Sequence, residues 1–226
     1  MALKVIVIAS QKGGAGKTTL AGHLAVAAHA DGAGPVVLLD TDPQGSLAAW
    51  WNERQTPEPL FAAADIDGLR AQLAALEAEG VRLAIVDTPP ALSATISAVI
   101  AVADLVLIPT RPSPHDLRAV GGTVALAEAA GKRPVFALNG AAHRARITAE
   151  AAVALSQFGA VAPVITHQRT DFAASMTDGR TVQELDAGSR SASEIAELWK
   201  YVDAQLRKYG SAEARQTGKV KEGGKQ

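Results

Sequence analysis

Short apolar runs and longer alanine-rich segments alternate along most of the chain. The runs are rich in Val, Ile and Leu and too short for helices: Val5–Ala9, Val36–Leu39, Leu83–Val86, Leu105–Ile108, Val135–Leu138 and, less clearly, Val161–Ile165. The segments between them have helical periodicity: Lys17–Ala30, Asp67–Glu79, Ser93–Val102, Asp116–Ala130 and Thr148–Phe158. This alternation is typical of parallel βαβ units with right-handed crossovers. It predicts an α/β fold with a mostly parallel, twisted sheet flanked by helices on both faces.

The last part of the chain divides into a predicted helix and a polar segment. Between about Ser193 and Tyr209, apolar residues recur at helical spacing, at Ile195, Leu198, Trp199, Val202 and Leu206. In residues 211–226, Val220 is the one sizeable apolar side chain, which is typical of a disordered segment. We therefore predict a single domain over residues 1–210 and a disordered tail over residues 211–226.

The composition excludes several kinds of chemical site and says less about the fold. The net charge is −1, so any contact with nucleic acid requires a local basic patch rather than a basic coat. The chain has no Cys, which excludes disulfides, thiolate zinc sites, cysteine nucleophiles and cysteine-ligated iron–sulfur clusters. No signal peptide or membrane-spanning apolar stretch is recognised. A cytoplasmic protein without stable membrane insertion is expected.

A glycine-rich segment follows the first predicted strand and opens the first predicted helix, as a phosphate-binding P-loop does. Its residues are Gln11, Lys12, Gly13, Gly14, Ala15, Gly16, Lys17, Thr18 and Thr19. Glycines let backbone N–H groups converge on phosphate, and the helix N-terminus adds further donors. We expect Lys17 to reach the β- and γ-phosphates of a nucleotide, Thr18 to bind Mg²⁺ and Thr19 to donate to the α-phosphate. The alternative is a glycine-rich turn that only caps the helix.

Two further predicted strands end in carboxylates. Asp40 and Asp42 follow the second strand, and Asp87 follows the third. Because ligands bind at the carboxyl ends of the strands in an open parallel sheet, these side chains are expected to face the phosphate loop. Asp87 has the position of a Walker B residue, which holds Mg²⁺ through a water. The alternative for Asp40 and Asp42 is a pair of helix-capping aspartates.

Together these motifs resemble those of the ParA/MinD superfamily. Lys12 to Thr19 matches its deviant Walker A motif, K-G-G-x-G-K-[TS]-[TS], and Asp40 to Gly45 matches its D-x-D-P-Q-G motif. Leu83 to Pro90 fits its Walker B form. The resemblance extends from Lys4 to about Tyr209 and is closest to the small, ParF-like plasmid-partition ParA proteins.

The resemblance implies roles for individual residues. Lys12 would reach across a dimer interface to the nucleotide of a second copy and, with Lys17 and Asp42, would serve catalysis. Asp42 would place or activate the attacking water, and Asp40 would support the Mg²⁺ shell beside Thr18. The alternative for Lys12 is a solvated loop lysine that helps to hold phosphate in its own subunit.

The base pocket is predicted from the loops that follow the fourth and fifth strands. By resemblance, the proline-rich loop containing Pro112 would wall the adenine, and Asn139 would read the base edge. A turn-forming Asn-Gly pair is the competing explanation for Asn139. The histidines show no metal-ligand spacing and are expected to be ordinary helix or loop residues: His23, His29, His115, His143 and His167.

The function implied by the resemblance is that of a Mg²⁺-dependent ATPase that forms a homodimer with ATP. The dimer would bind nonspecific DNA, and a ParB-like partner protein would stimulate hydrolysis. Such a protein would be nucleoid-associated and would segregate a plasmid, a chromosome or another large cargo. The basic candidates for DNA contacts are Arg144, Arg146, Arg169, Arg190, Lys200, Arg207 and Lys208. The alternatives are a MinD-like ATPase that localises a protein partner at a membrane or pole without DNA binding, and a metabolic enzyme such as dethiobiotin synthetase.

Overall fold

The computed structural model of the chain describes residues 2–90 and 94–222, with side chains described for residues 2–90 and 96–209. Strands and helices alternate over most of this length. The strands are β1 Lys4–Ile8, β2 Val36–Asp40, β3 Leu60–Ala63, β4 Leu83–Asp87, β5 Leu105–Thr110, β6 Pro134–Ala141, β7 Ala160–Val161 and β8 Thr166–His167. The helices are α1 Lys17–Ala30, α2 Ser46–Asn52, α3 Leu69–Ala78, α4 Ala94–Ala101, α5 Pro114–Ala129, α6 Arg146–Ser156, α7 Thr170–Met176, α8 Val182–Leu185 and α9 Arg190–Glu222.

The strands form a parallel sheet in the order β3-β2-β4-β1-β5-β6-β7, and β8 pairs with a later part of β6. In this sheet β1 lies in the middle, between β4 and β5. The register places Asp87 opposite both Ile8 of β1 and Asp40 of β2. The carboxyl ends of three neighbouring strands therefore meet at one edge, where the loop after β1 begins.

Side chains of β1 alternate between two apolar layers, one on each face of the sheet. Ile6 and Ile8 pack in the layer that includes α1 and α9, whereas Val5 and Val7 pack in the layer that includes α3 to α6. All four are buried. Because helices cover both faces, the strand needs no polar alternation, and its apolar run follows directly. The predicted fold class is confirmed.

Several predicted elements agree closely with the structure, and others differ. Helix α1 has the predicted bounds, but α2 and β3 were not predicted. Strand β3 is a four-residue edge strand that pairs with β2 and follows Pro57 and Pro59, so its sequence gives little strand signal. The predicted strand at Val161–Ile165 is wrong. The chain there pairs in two short pieces, β7 and β8, because Pro163 cannot donate a ladder hydrogen bond.

Helix α9 continues to Glu222, well past its predicted end at Tyr209. The sequence beyond Tyr209 is rich in Ala, Glu, Arg, Gln and Lys, which are good helix formers. Residues 223–226 lie outside the described part of the chain, and the division at residue 210 stays a prediction. Within the described residues, no helix is both long and apolar enough to cross a membrane.

Candidate functional site

The glycine-rich loop leaves β1 and enters α1 through backbone conformations that favour glycine. Gly14 has φ +75° and Gly16 has φ +95°, both in the left-handed region. A Cβ added at Gly13 or Gly14 would meet no atom within 4 Å. The backbone there faces open space, so a phosphate can approach the N–H groups closely. This is the cradle that a P-loop requires.

Lys17, the first residue of α1, is buried behind this loop, with 7% of its surface exposed. Burial lowers the pKa of its ammonium, and the negative charges of Asp87 and Asp42 partly oppose that effect. The ammonium therefore lies in a site of reduced solvation, where the charges of two carboxylates act on it. A cation in such a place is poised to interact strongly with an anionic ligand.

Asp87 ends β4 as a buried carboxyl beside the same loop. Its Oδ2 atom accepts a 2.6 Å hydrogen bond from the Thr18 hydroxyl, and its Oδ1 atom accepts one from the Thr88 N–H at 3.0 Å. Burial raises the pKa of Asp87 to about 7, although Thr18 and the Lys17 charge act in the opposite direction. The Walker B prediction thus corresponds to a carboxyl in direct contact with the predicted Mg²⁺-binding hydroxyl.

Asp40 and Asp42 organise the loop that leads into α2. Asp40 accepts the N–H of Asp42 on Oδ1 and the N–H of Ala48 on Oδ2, each at 3.0 Å. Asp42 accepts the N–H of Gln44 at 3.0 Å and remains half-buried. Asp40 therefore orders the loop and accepts an N–H of the first turn of α2, and its place in a Mg²⁺ shell stays a prediction. Asp42 also lines the cavity beside the loop.

The loop, Asp42 and two helices surround a cavity of about 670 Å³. One wall is the phosphate loop and the first residues of α1, and the other is formed by α2 and the end of α7. The lining residues are Gly13, Gly14, Gly16, Lys17, Thr18, Thr19, Asp42, Ser46, Ala49, Trp50, Glu53, Pro90, Met176 and Thr177. The sequence did not identify the wall from α2 and α7, because neither helix carries a recognisable motif. The one available signal was the pair of tryptophans that follows the D-x-D-P-Q-G segment.

Asn139 and Pro112, the predicted base-pocket residues, do not line this cavity. The Asn139 amide donates from Nδ2 to the carbonyl oxygen of Ala15 at 2.8 Å, and its Oδ1 atom accepts from the Thr166 hydroxyl at 2.6 Å. Asn139 also packs so closely on the loop that a Cβ at Gly16 would collide with its Nδ2 atom. Asn139 thus braces the phosphate loop. A role for Asn139 or Pro112 in reading the base stays a prediction.

Lys12 is exposed at the outer turn of the loop. Next to it, the N–H of Gln11 donates to the Thr123 hydroxyl of α5 at 3.2 Å, which ties the start of the loop to the fold. The side chain of Lys12 is therefore accessible, beside a residue whose backbone is bonded to α5. This placement is compatible with both the cross-dimer role and the role within one subunit.

His23 is fully buried in α1 and joins it to the later helices. Its Nδ1 atom donates to the Thr19 carbonyl at 2.7 Å, and its Nε2 atom accepts from the Val182 N–H at 3.1 Å. Burial lowers the pKa of His23 to about 4, so the imidazole is neutral, as these two hydrogen bonds require. It is a structural histidine, in agreement with the prediction from the sequence.

Oxygen ligands suit Mg²⁺, and the site offers them as the Thr18 hydroxyl and the Asp87 carboxylate. Among the described residues, no group of three or more His, Cys, Asp or Glu side chains could hold a metal by itself. A cation here would need further ligands from water and from a phosphate group, which is how Mg²⁺ commonly binds with nucleotides. The donor set fits that arrangement.

Comparisons with known proteins agree with this geometry. The family model of the CobQ/CobB/MinD/ParA nucleotide binding domain matches residues 6–208. Maintenance of carboxysome distribution protein A from Gloeobacter kilaueensis is 44% identical over 122 residues, which are 54% of this chain and 55% of that protein. The chain thus spans about half the length of this relative. The protein of the same name from Halothiobacillus neapolitanus is 30% identical over 84% of this chain and 91% of its own length.

The fold also matches a solved structure. The septum site-determining protein MinD from Pyrococcus horikoshii, in complex with Mg-ADP, superimposes with a TM-score of 0.74 at 17% identity, covering 89% of this chain and 96% of that one. At this identity the likeness concerns the fold alone. The family match covers most of the chain and includes the cradle, Lys17 and the strand-end carboxylates. The chain belongs to the CobQ/CobB/MinD/ParA nucleotide-binding domain family, within the ParA/MinD superfamily of ATPases.

Proposed function

We propose that this protein hydrolyses ATP with Mg²⁺, dimerises in the ATP state and uses this cycle to position a large cargo on nonspecific DNA. The observation that carries the proposal is the buried Lys17 ammonium beside the Asp87 carboxyl and the Thr18 hydroxyl, behind an open glycine loop. A triphosphate with its metal requires this combination of fixed cation, backbone donors and hard oxygen ligands.

In this proposal the cradle residues Gly13, Gly14, Ala15 and Gly16 donate backbone N–H groups to phosphate, together with Thr18 and Thr19. Lys17 neutralises charge on the phosphates, and Thr18 and Asp87, supported by Asp40, hold the metal. The metal neutralises phosphate charge when bound. ATP is the nucleotide that the family membership favours.

Asp42 is the residue that we propose to place the attacking water. Its half-buried carboxylate lines the same cavity as Lys17 and contributes to the electrostatic environment of that ammonium. Phosphoryl transfer depends mostly on positioning and charge neutralisation, so a fixed carboxylate that accepts hydrogen bonds from water can orient it for attack. A ParB-like partner protein would accelerate this step.

Calorimetric titration with MgATP tests the nucleotide site. Wild-type protein is expected to bind, and Lys17→Ala is expected to lose at least about tenfold in affinity, because the phosphates lose their buried point charge. Lys200→Ala removes an exposed lysine of α9 and serves as the matched control for nucleotide binding. Equal affinities of wild type and Lys17→Ala would overturn the assignment of the phosphate site.

Lys12 is proposed to act across the ATP-bound dimer. Its exposed ammonium would become buried against the phosphates of the second copy, which is favourable when those phosphates supply the opposite charge. ATP and ADP should therefore favour different association states. Dimerisation would also double the basic contacts offered to one duplex, which strengthens a binding that depends on phosphate contacts.

Some of the basic residues proposed to contact DNA already form ion pairs with acidic side chains. Arg146 pairs with Glu150, Arg169 with Glu194 and Arg207 with Asp203, at 3.0, 2.6 and 2.8 Å between the charged atoms. Acidic partners reduce the charge that these side chains present to phosphate. The exposed Arg144, Arg190 and Lys200 are the stronger candidates.

The cargo-positioning part of the proposal is supported by the names of the two relatives described above, which concern carboxysome distribution.

A DNA mobility shift with a nonhydrolysable ATP analogue, run at low and moderate salt beside light scattering, tests the coupling. We expect wild-type protein to dimerise and to shift DNA at low salt, and Lys12→Ala to lose both while retaining ATP binding. A Lys12→Ala protein that still dimerises and shifts DNA would contradict the cross-dimer role. A wild-type dimer that never binds DNA would contradict the DNA proposal and favour the MinD-like alternative.

A further inference from the structure

Helix α2 begins four residues after Asp42, so the position of that carboxylate depends on where α2 lies. The amino end of α2 is fixed by Asp40, whose carboxylate accepts the N–H groups of both Asp42 and Ala48 at 3.0 Å. These bonds link the loop, the helix and the end of β2. A shift of α2 would therefore move the loop that presents Asp42.

The carboxyl end of α2 is fixed by Arg54, two residues after the helix ends. Its side chain is 3% exposed, and its Nη1 and Nη2 atoms contact the two carboxylate oxygens of Glu184 at 3.1 and 2.8 Å. Nη1 also donates to the Gly179 carbonyl at 2.7 Å, and Nη2 donates to the Glu58 carbonyl at 2.8 Å. One guanidinium thus joins the end of α2 to α8 and to the segment that precedes α8.

This ion pair differs from an ordinary surface pair because the guanidinium is almost completely buried. Arg54 Nε is also buried without a hydrogen-bond partner among the described residues, so the cation lies there at a desolvation cost. Burial would raise the pKa of Glu184, but the hydrogen bonds from Arg54 and Thr181 lower it overall. The Glu184 side chain is 28% exposed, so solvent screens the pair on that side. Removing Glu184 would nevertheless leave an almost completely buried guanidinium without its carboxylate, which is more disruptive than breaking a pair between two exposed side chains.

The packing around Arg54 allows little adjustment. Gly179 has φ +78°, and a Cβ there would collide with the backbone nitrogen of Arg54. The guanidinium lies 5.0 Å from the centre of the Trp50 ring, and the Trp50 indole donates to the Arg180 carbonyl at 3.1 Å. A Cβ at Gly22 of α1 would meet the same ring at 3.0 Å. Helix α2 is therefore held closely against α1 and the α7–α8 segment.

We propose that Arg54 and Glu184 are positioning residues for Asp42: their forked ion pair holds α2, and through it the loop that presents the water-placing carboxylate. This rests on the role proposed above for Asp42. Neither residue lines the cavity beside the phosphate loop. Loss of the pair should therefore impair turnover while nucleotide binding through Lys17 is retained.

The first test measures amide hydrogen exchange in the nucleotide-free protein. Glu184→Gln keeps the size of the side chain but removes its charge, so the fork to Arg54 is weakened. We expect the N–H groups of Asp42 and Ala48 to exchange at least about fivefold faster, with unchanged exchange in β4 and β5. Unchanged exchange at both N–H groups would overturn the proposal.

The second test measures steady-state ATP hydrolysis. In Glu184→Gln we expect kcat to fall about tenfold and KM for ATP to change by less than about twofold. Arg54→Lys keeps the cation but not the fork, so it should show a similar loss and supplies the test if the Gln variant does not fold. A larger effect on KM than on kcat, or no effect on kcat, would contradict positioning of Asp42.

The same measurement in an Asp42→Ala background separates positioning from general destabilisation. There, Glu184→Gln should change the remaining hydrolysis by less than about twofold, because the residue to be positioned is gone. A tenfold loss that persists in this background would overturn the proposal. Asp178→Asn, which removes the exposed pair with Arg180 in the same segment, is the matched control and should leave kcat unchanged.

The outcomes also separate this proposal from the proposed function. An Asp42→Ala protein that hydrolyses ATP at the wild-type rate would overturn the catalytic role of Asp42, and the positioning proposal with it. An impaired Asp42→Ala protein beside a fully active Glu184→Gln protein would overturn the positioning proposal alone.

Discussion

Two groups of residues surround the phosphate loop, and they differ in charge. On one side, the strand-end group consists of Asp40, Asp42 and Asp87, and the charges of Asp42 and Asp87 act on the buried ammonium of Lys17. On the other side, the bracing group consists of neutral side chains that connect the loop and α1 to later parts of the chain. These are Asn139, which holds the Ala15 carbonyl, and His23, which holds the Val182 N–H.

The difference shows that one group of residues supplies charge beside the loop, whereas the other supports the structure of the loop and α1. In the strand-end group, burial shifts the pKa of Lys17 and of Asp87 toward the neutral form, but the opposite charge of the other partner acts against that shift. In the bracing group, burial lowers the pKa of His23 to about 4, so its imidazole is neutral at pH 7. Changes in the first group should therefore alter reactivity, and changes in the second should alter stability and loop geometry.

The largest effect is expected for Asp42→Ala, in the strand-end group. Loss of the water-placing carboxylate should reduce kcat by about a hundredfold or more, while ATP affinity stays within a few-fold of wild type. Steady-state hydrolysis together with calorimetric titration measures both quantities. Asp67→Ala, at an exposed carboxylate ahead of α3, is the control. Wild-type turnover in Asp42→Ala would contradict the assignment of chemistry to this group.

The second largest effect is expected in the pH dependence of the free energy of unfolding, through the titration of His23. Its pKa is about 4 in the folded protein, below the ordinary value of 6.5, so the unfolded chain binds more protons between these values. The contribution of neutral His23 should be complete above pH 6.5 and fall as the pH drops to 4, by on the order of 3 kcal/mol.

Urea unfolding of nucleotide-free protein at several pH values measures this effect. Replacement by Gln should remove most of the pH dependence within this window. His29→Gln changes an exposed histidine at the end of the same helix and should leave the profile unchanged. A profile that is the same in wild type and His23→Gln would show that this imidazole does not titrate as inferred.

A third, smaller effect is expected where the two groups meet, at Gly16→Ala. Alanine at this position would have to adopt the left-handed backbone conformation, and its Cβ would collide with the Asn139 side chain. We therefore expect a loss of about 1–3 kcal/mol in unfolding free energy. Gly13→Ala is the matched change in the same loop, since a Cβ there meets no atom within 4 Å. Equal melting temperatures for the two variants would argue against close packing of Asn139 on the loop.

The smallest effect should come from Asn139→Ala, which removes one neutral hydrogen bond to the loop. We expect a cost of about 1 kcal/mol in nucleotide binding, and the same cost for ATP and GTP, if the residue only braces Ala15. A selective loss of ATP affinity would instead support the predicted reading of the base edge. Parallel titrations with both nucleotides distinguish these roles.

The strand-end group was predictable because its residues follow strand signals in the sequence. A buried run such as Leu83–Val86 predicts a strand in a parallel sheet, and the residue after it must lie at the carboxyl edge. The register then brings Asp87 beside Asp40, as the structure shows. The bracing contacts were not predictable, because Asn139 and Ala15 lie far apart in the chain and no local pattern connects them.

The sequence by itself determined the fold class, the phosphate loop and the strand ends that surround it, because periodicity and local motifs encode these features. Only the tertiary structure decided that α2 and α7 wall the cavity, that His23 stays neutral, and that Arg54 is buried against Glu184. These features depend on burial and on distances between remote segments. Such distances arise from packing, which a pattern of neighbouring residues does not contain.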